Sequence, residues 1–228
     1  MRKYAFLFGV FFVYLEIPEN CFRQLMKSLC ICLLFLPYFT SNADKNDWTL
    51  RKDKDGIAIF SRHSDLSKYN DLRIEVDLPG TPAQLASILL DVQNYPGWAY
   101  ATNSTVMVKK VSPTEVIYYS KIDVPWPGTD RDFYADLKVN MDAAGQSLNV
   151  ESVGMKNYQP ENKDLVRIPM SHAIWTATTQ SGKTVHLQYI LQLDPGGSVP
   201  AWILNAFCLK APMETFTNLK RRMMEMNK

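Results

Sequence analysis

Leu72, Ile74, Val76 and Leu78 alternate with Arg73, Glu75 and Asp77. A two-residue period puts the first set on one face of a strand and the second on the other, so 72–78 reads as a half-buried strand. The same alternation places Phe133, Ala135, Leu137, Val139 and Met141 opposite Tyr134, Asp136, Lys138 and Asn140. It also places Val185, Leu187, Tyr189, Leu191 and Leu193 opposite His186, Gln188 and Gln192. Weaker strand patterns cover 56–62, 104–111, 115–124, 147–153 and 165–178. Asp55-Gly56, Ala144-Gly145 and Ser181-Gly182 supply hairpin turns.

Two stretches change period. Thr81-Pro82-Ala83-Gln84 has the N-cap, N1 and N3 residues of a capped helix start. Leu85, Ile88, Leu89 and Val92 then recur at helical spacing, and the helix is expected to end near Asn94, ahead of Pro96-Gly97. The second helix runs from about Pro200 to Met226. Its expected seam is Leu209, Met213, Phe216, Leu219, Met223 and Met226, with a kink at Pro212, which lacks an N–H and crowds the preceding turn. Consecutive strands with few helices predict an antiparallel sheet in an α+β fold. At 1.5 Å per residue the last helix is about 40 Å long, the one element able to cover the apolar face of such a sheet.

The first forty-three residues follow another pattern. Apolar runs at Ala5–Leu15 and Leu29–Phe39 are separated by Pro18-Glu19-Asn20. Each is shorter than the ~20 residues that a spanning helix needs. The second run has the parts of an export signal: Met26-Lys27-Ser28, eleven apolar residues, then Ser41-Asn42-Ala43 with small residues at −3 and −1. The expected division is therefore an upstream extension over 1–25, a signal peptide over 26–43 and one domain over 44–228. An uncleaved membrane tether is the alternative.

Composition adds exclusions. The chain is 46% hydrophobic and 21% charged, an ordinary globular balance, with a net charge of +2. Taking away 1–43 removes four basic and two acidic residues and leaves 21 of each, so no net charge favours nucleic acid. One cysteine, Cys208, remains after residue 43, so this part can form no internal disulfide and shows no zinc-type cluster. Neither a metal nor a cofactor is expected. Ser171 and His172 are adjacent, so on a strand they point to opposite faces and make a poor nucleophile–base pair. No GxSxG, HExxH or phosphate-loop motif occurs.

An ordered set of short motifs remains. It comprises Trp48 before Asp55-Gly56-Ile57, Asp91 and Trp98, and Pro125-Trp126-Pro127 before Arg131-Asp132-Phe133. It continues with Val166-Arg167 before Trp175, and Asp194-Pro195-Gly196-Gly197-Ser198-Val199-Pro200-Ala201-Trp202 leading into the last helix. This set, spread over nearly all of 46–226, resembles the START (steroidogenic-acute-regulatory-protein-related lipid transfer) domains. The resemblance implies a helix-grip fold, a curved antiparallel sheet around a long C-terminal helix, with a tunnel for one lipid and no catalysis. The implied tunnel wall is Ile74, Val76, Leu137, Val139, Leu187, Tyr189 and Leu191, facing Met213, Phe216 and Leu219, with Tyr118 able to offer a hydroxyl. Periodicity alone fits a filled core equally well.

Lifting a sixteen-carbon tail out of a bilayer forfeits ~13 kcal/mol at ~0.8 kcal/mol per methylene, which a carrier's wall must return. Arg131, Asp132 and Arg167 are candidate head-group contacts, although a structural ion pair suits them better. The charge pair found in the tunnel of some cholesterol-binding relatives falls on Tyr118 and Leu137 here and is lost. Trp126 suits a membrane interface, or equally a buried loop anchor. The expectation is an exported, periplasmic, monomeric lipid carrier with transient membrane contact. A tunnel enzyme of the polyketide cyclase or hydratase kind, and a lipid-sensing interaction module, are the alternatives.

Overall fold

In the computed structural model, residues 2–8, 11–17, 47–180 and 183–227 are described, and the chain divides into two units at Ala43/Asp44. In the first unit, β1 (Arg2–Phe8) and β2 (Phe11–Ile17) pair antiparallel, from Arg2 opposite Ile17 to Phe8 opposite Phe11. The described residues of the apolar run at Ala5–Leu15, 5–8 and 11–15, thus lie on these two strands. The expected signal peptide over 26–43 lies outside the described residues.

The second unit begins with a meander: β3 (Thr49–Lys54), β4 (Ile57–Arg62) and β5 (Asp71–Pro79). Sequence patterning misses β3, whose side chains are almost all exposed and so carry no alternation. Asp55 and Gly56 both adopt positive φ in the turn between β3 and β4, which suits a two-residue hairpin. Helix α1 (Pro82–Leu90) follows with the expected cap. Thr81 Oγ1 accepts from the Gln84 N–H at 3.3 Å, and Gln84 Oε1 accepts from the Thr81 N–H at 2.9 Å.

The helix ends at Leu90 rather than near Asn94, and Val92–Gly97 forms a tighter 3-10 turn. Pro96 explains the difference: it disfavours the α conformation at Tyr95 and supplies no N–H.

A second meander follows, β6 (Thr102–Ser112), β7 (Glu115–Ile122), β8 (Arg131–Met141) and β9 (Ser147–Gly154). The weak strand over 165–178 divides at Ile168-Pro169 into β10 (Val166–Arg167) and β11 (Met170–Thr179), and β12 spans Thr184–Asp194. The order across the sheet is β3-β4-β5-β12-β11-β9-β8-β7-β6. All of these neighbours pair antiparallel; only the two-residue β10 runs parallel, to the start of β8. The sheet and its C-terminal helix form the expected α+β helix-grip arrangement.

The last helix is not uniform. It comprises α2 (Ala201–Asn205), a π-helical turn (Ala206–Lys210) and α3 (Ala211–Glu225). The π turn directly precedes Pro212, where the missing N–H and the ring make a regular α-helical bond impossible. It also shifts the seam. The buried positions of α3 are Pro212, Phe216, Leu219 and Met223, while Leu209 and Met226 are exposed and Met213 is half-buried. The expected seam, drawn for one continuous α-helix, is therefore wrong at Leu209 and Met226, while Met213 packs at its edge. Both helices cover the same buried face: α1 contacts β8, β9 and β11, and α3 contacts β4 and β5.

Candidate functional site

The inward face of the sheet is predominantly apolar, but only part of it is filled. Ile57, Ile59, Ile74, Val76, Leu78, Val185 and Leu187 close on Leu85, Leu89, Leu219 and Met223 in a continuous core. Past this core lies a cavity of about 320 Å³ bounded by the sheet, the 3-10 turn and the last helix. The boundary crosses each element part-way. On β5 Leu72 faces the cavity while Ile74 and Val76 are core; on β12 Tyr189 and Leu191 face it while Leu187 is core. On α3 Pro212, Thr215 and Phe216 face it while Leu219 and Met223 are core.

The helix keeps facing the cavity because of its π turn. Its wall residues step by four: Ile203 and Leu204, Phe207 and Cys208, Ala211 and Pro212, Thr215 and Phe216. A helix of 3.6 residues per turn would rotate such a series steadily away from the sheet, and the wider π turn offsets this drift.

Aromatic rings make up much of the remaining wall. The 3-10 turn stacks residues three apart, which brings Tyr95 and Trp98 together at 5.0 Å between ring centroids. Tyr118 lies 5.7 Å from Tyr95 and 5.8 Å from Phe133. Trp175 lies 4.4 Å from Tyr189 and 5.7 Å from Phe216. The Tyr95 hydroxyl donates to the Leu89 carbonyl at 2.6 Å, and the Tyr118 and Ser152 hydroxyls share a hydrogen bond of 3.1 Å. Burial pushes the Tyr118 phenol up to about 12 and raises those of Tyr95 and Tyr189, so all three are neutral at ordinary pH. Trp98 is buried, and its indole N–H has no acceptor among the described residues.

Of the wall expected from sequence, Tyr118, Leu137, Tyr189, Leu191 and Phe216 face the cavity. Ile74, Val76, Val139, Leu187 and Leu219 do not: each points inward as expected but packs in the filled part, and Met213 is half-buried against that core. Sequence reasoning passed over the 3-10 turn as a source of wall residues, although Trp98 stood among the quoted motifs.

The three polar candidates separate. Arg167 and Asp132, at the β10–β8 bridge, form a buried ion pair, with Nε to Oδ1 at 2.8 Å and Nη2 to Oδ2 at 2.9 Å. Arg167 Nη1 also donates to the Lys156 and Gln159 carbonyls, each at 3.1 Å. Both side chains are satisfied by protein and neither borders the cavity, so as ligand contacts they are corrected to a structural clamp. Arg131, one residue before Asp132, points to the other face and lines the cavity.

Trp126 sits in the loop between β7 and β8 and is 88% exposed, so it is not a buried anchor. The same loop rests on α2, since a Cβ built on Gly128 would lie 3.1 Å from Ile203 Cδ1. Trp202, on α2 itself, is also exposed. His172 and His186 lie on the outer face, where they meet Glu151 at 2.7 Å and Asp77 at 2.8 Å.

A sequence profile of the START domain matches residues 40–228. The chain belongs to the START family. It is similar to an uncharacterised protein of Pseudomonas aeruginosa, 30% identical over 179 residues, which make up 78% of this chain and 88% of that one. Mouse START domain-containing protein 10 is 22% identical over 160 residues, which cover 69% of this chain and 55% of that protein. Among solved structures, the STAR-related lipid transfer protein of Xanthomonas axonopodis superposes with a TM-score of 0.70 at 26% identity, covering 78% of this chain and 98% of that one. Human StAR-related lipid transfer protein 5 shares the fold at a TM-score of 0.68 and 14% identity, over 92% of this chain and 100% of the other.

Proposed function

We propose that this START domain takes one hydrophobic molecule into the cavity and carries it between membranes without transforming it. The observation that carries the reading is an aromatic and aliphatic cavity inside a domain whose opposite end is a complete core. Empty apolar volume costs stability, so a domain that keeps it gains most when a ligand fills it. The phenols of Tyr95, Tyr118 and Tyr189 are held neutral by burial, and none of them is poised near neutral pH to move a proton, which favours holding over catalysis.

Entry is proposed where the Trp126 loop meets α2. An exposed indole suits the membrane–water interface, and the π turn interrupts the regular α-helical bonding of the helix above the cavity. Export by the segment 26–43 and action as a periplasmic monomer complete the proposal.

Its test is expression of the full chain in a bacterial host, followed by native mass spectrometry of the purified protein and identification of extracted ligand. The expected result is one lipid per chain on a protein beginning at Asp44. A ligand-free protein that acquires nothing when incubated with mixed-lipid vesicles would overturn the carrier reading. An intact N-terminus would overturn the export step alone.

A further inference from the structure

Arg131 is 5% exposed, yet it is part of the cavity wall. Among the described residues its one hydrogen-bond partner is the Thr129 carbonyl, reached through Nη1. A guanidinium has five N–H donors and is not deprotonated in proteins, so several donors of a buried cation remain uncommitted.

Nearby carboxylates do not take them up. Asp132 is held at both oxygens by Arg167. Asp130 accepts from the Val124 N–H at 3.0 Å and pairs with Lys121 Nζ at 3.0 Å. Burial disfavours the charge on Arg131, and the Tyr69 phenol and the Asp130 carboxylate compensate in part. Among the described residues, Arg131 is the only charged side chain in the wall. A buried charge is ordinarily paired, and planar guanidinium donors match carboxylate and phosphate oxygens.

The cavity volume of about 320 Å³ lies at the low end of the ~300–1,000 Å³ range of ligand sites, which suits one acyl chain better than two. The wall away from Arg131 is mostly aromatic and aliphatic, and its other polar side chains are neutral. The hydroxyls of Tyr95, Tyr118, Ser120, Ser152 and Thr215 are hydrogen-bonded within the protein, and the rest carry no charge to compete for an anion.

We infer that the ligand is a single-chain amphiphile with an anionic head group, a carboxylate or a phosphate monoester, held at Arg131 with its chain along the aromatic wall. This assignment rests on the proposed uptake of a hydrophobic ligand and narrows its chemistry.

The test is an equilibrium titration of the full chain with palmitate, hexadecyl phosphate and hexadecanol, followed by native mass spectrometry. The tail is then constant and only the head changes. At least one anion is expected to bind roughly tenfold or more tightly than the alcohol, the scale of a hydrogen bond to a charged group, and the preferred anion names the head. Arg131→Met should bring the ratio close to one, while Arg131→Lys should keep a preference for the anion. The wild-type ratio tests the assignment even if the methionine variant fails to fold.

Equal binding of anions and alcohol would overturn the head-group assignment and leave uptake standing. Binding of none of the three would overturn both. Acetate and inorganic phosphate are expected not to displace a bound palmitate; displacement by either would mark Arg131 as a site for small anions and overturn the requirement for a chain.

Discussion

The two ends of the grip are built from the same strands and the same helix, yet one is solid and the other hollow. Strand β11 shows the contrast within four residues: Ala177 is fully buried in the core, and Ala173, on the same face, borders the cavity. What differs is the cover. Over the solid end, α1 and the regular turns of α3 supply Leu85, Leu89, Leu219 and Met223, side chains of the right size at helical spacing. Over the hollow end, the cover is a 3-10 turn and a π turn that begins α3 with Ala211 and Pro212. Irregular backbone there, with only Ala211 and Pro212 at the start of α3, leaves room between the large side chains of the wall. The lesson is that the cavity of this domain lies under local departures from helical geometry above an ordinary sheet.

The contrast breaks most visibly when a leucine is deleted from each end. Leu219 is fully buried at the solid end, so Leu219→Ala should cost about 2–5 kcal/mol in denaturant unfolding. Leu191 borders space that already exists. Leu191→Ala should cost clearly less, because no new enclosed void forms, and should weaken ligand binding instead. Equal losses at the two positions would mean that the hollow end is packed in solution.

The converse change sharpens the same comparison on one strand. Ala177→Leu adds three carbons to a filled layer and should destabilise by about 1–3 kcal/mol. Ala173→Leu places the same carbons in the cavity, where stability should hold or rise while lipid uptake falls. Thermal unfolding and native mass spectrometry of the two variants read both effects. Undiminished uptake by the Ala173 variant would move the ligand out of this cavity.

This contrast also explains how far the sequence could be read. The period-two runs of β5, β8 and β12 mark the inward face except at Met141, which is exposed at the end of β8, and the ordered motifs from Trp48 to Trp202 point to the family. Yet alternation reports which face is turned inward, not what meets it. That is why Ile74, Val76, Val139, Leu187 and Leu219 were expected in a tunnel wall and are found in the core. The seam misplaces Leu209, which is exposed, because Pro212 announces a disturbance without saying whether the helix kinks or widens into a π turn. Arg131 and Asp132 are neighbours with opposite directions on one strand, and only the three-dimensional position of Arg167 shows which of them is already paired.

The smallest effect on stability is expected at Trp126, and there the comparison becomes one of equilibrium against rate. An 88% exposed side chain contributes little to folding, so Trp126→Ala should change unfolding free energy by no more than about 0.5 kcal/mol. The cavity wall is untouched, so ligand affinity measured without membranes should also stay the same. Transfer between vesicles should nevertheless slow several-fold if the indole seats the loop in the interface while the loop lifts from Ile203. A membrane anchor far from the wall changes how fast a ligand arrives, whereas the wall sets how tightly it is held. A stopped-flow assay with a fluorescent lipid separates the two. An unchanged transfer rate would remove Trp126 from the entry route and shift attention to Trp202, the exposed indole on the other side of the same contact.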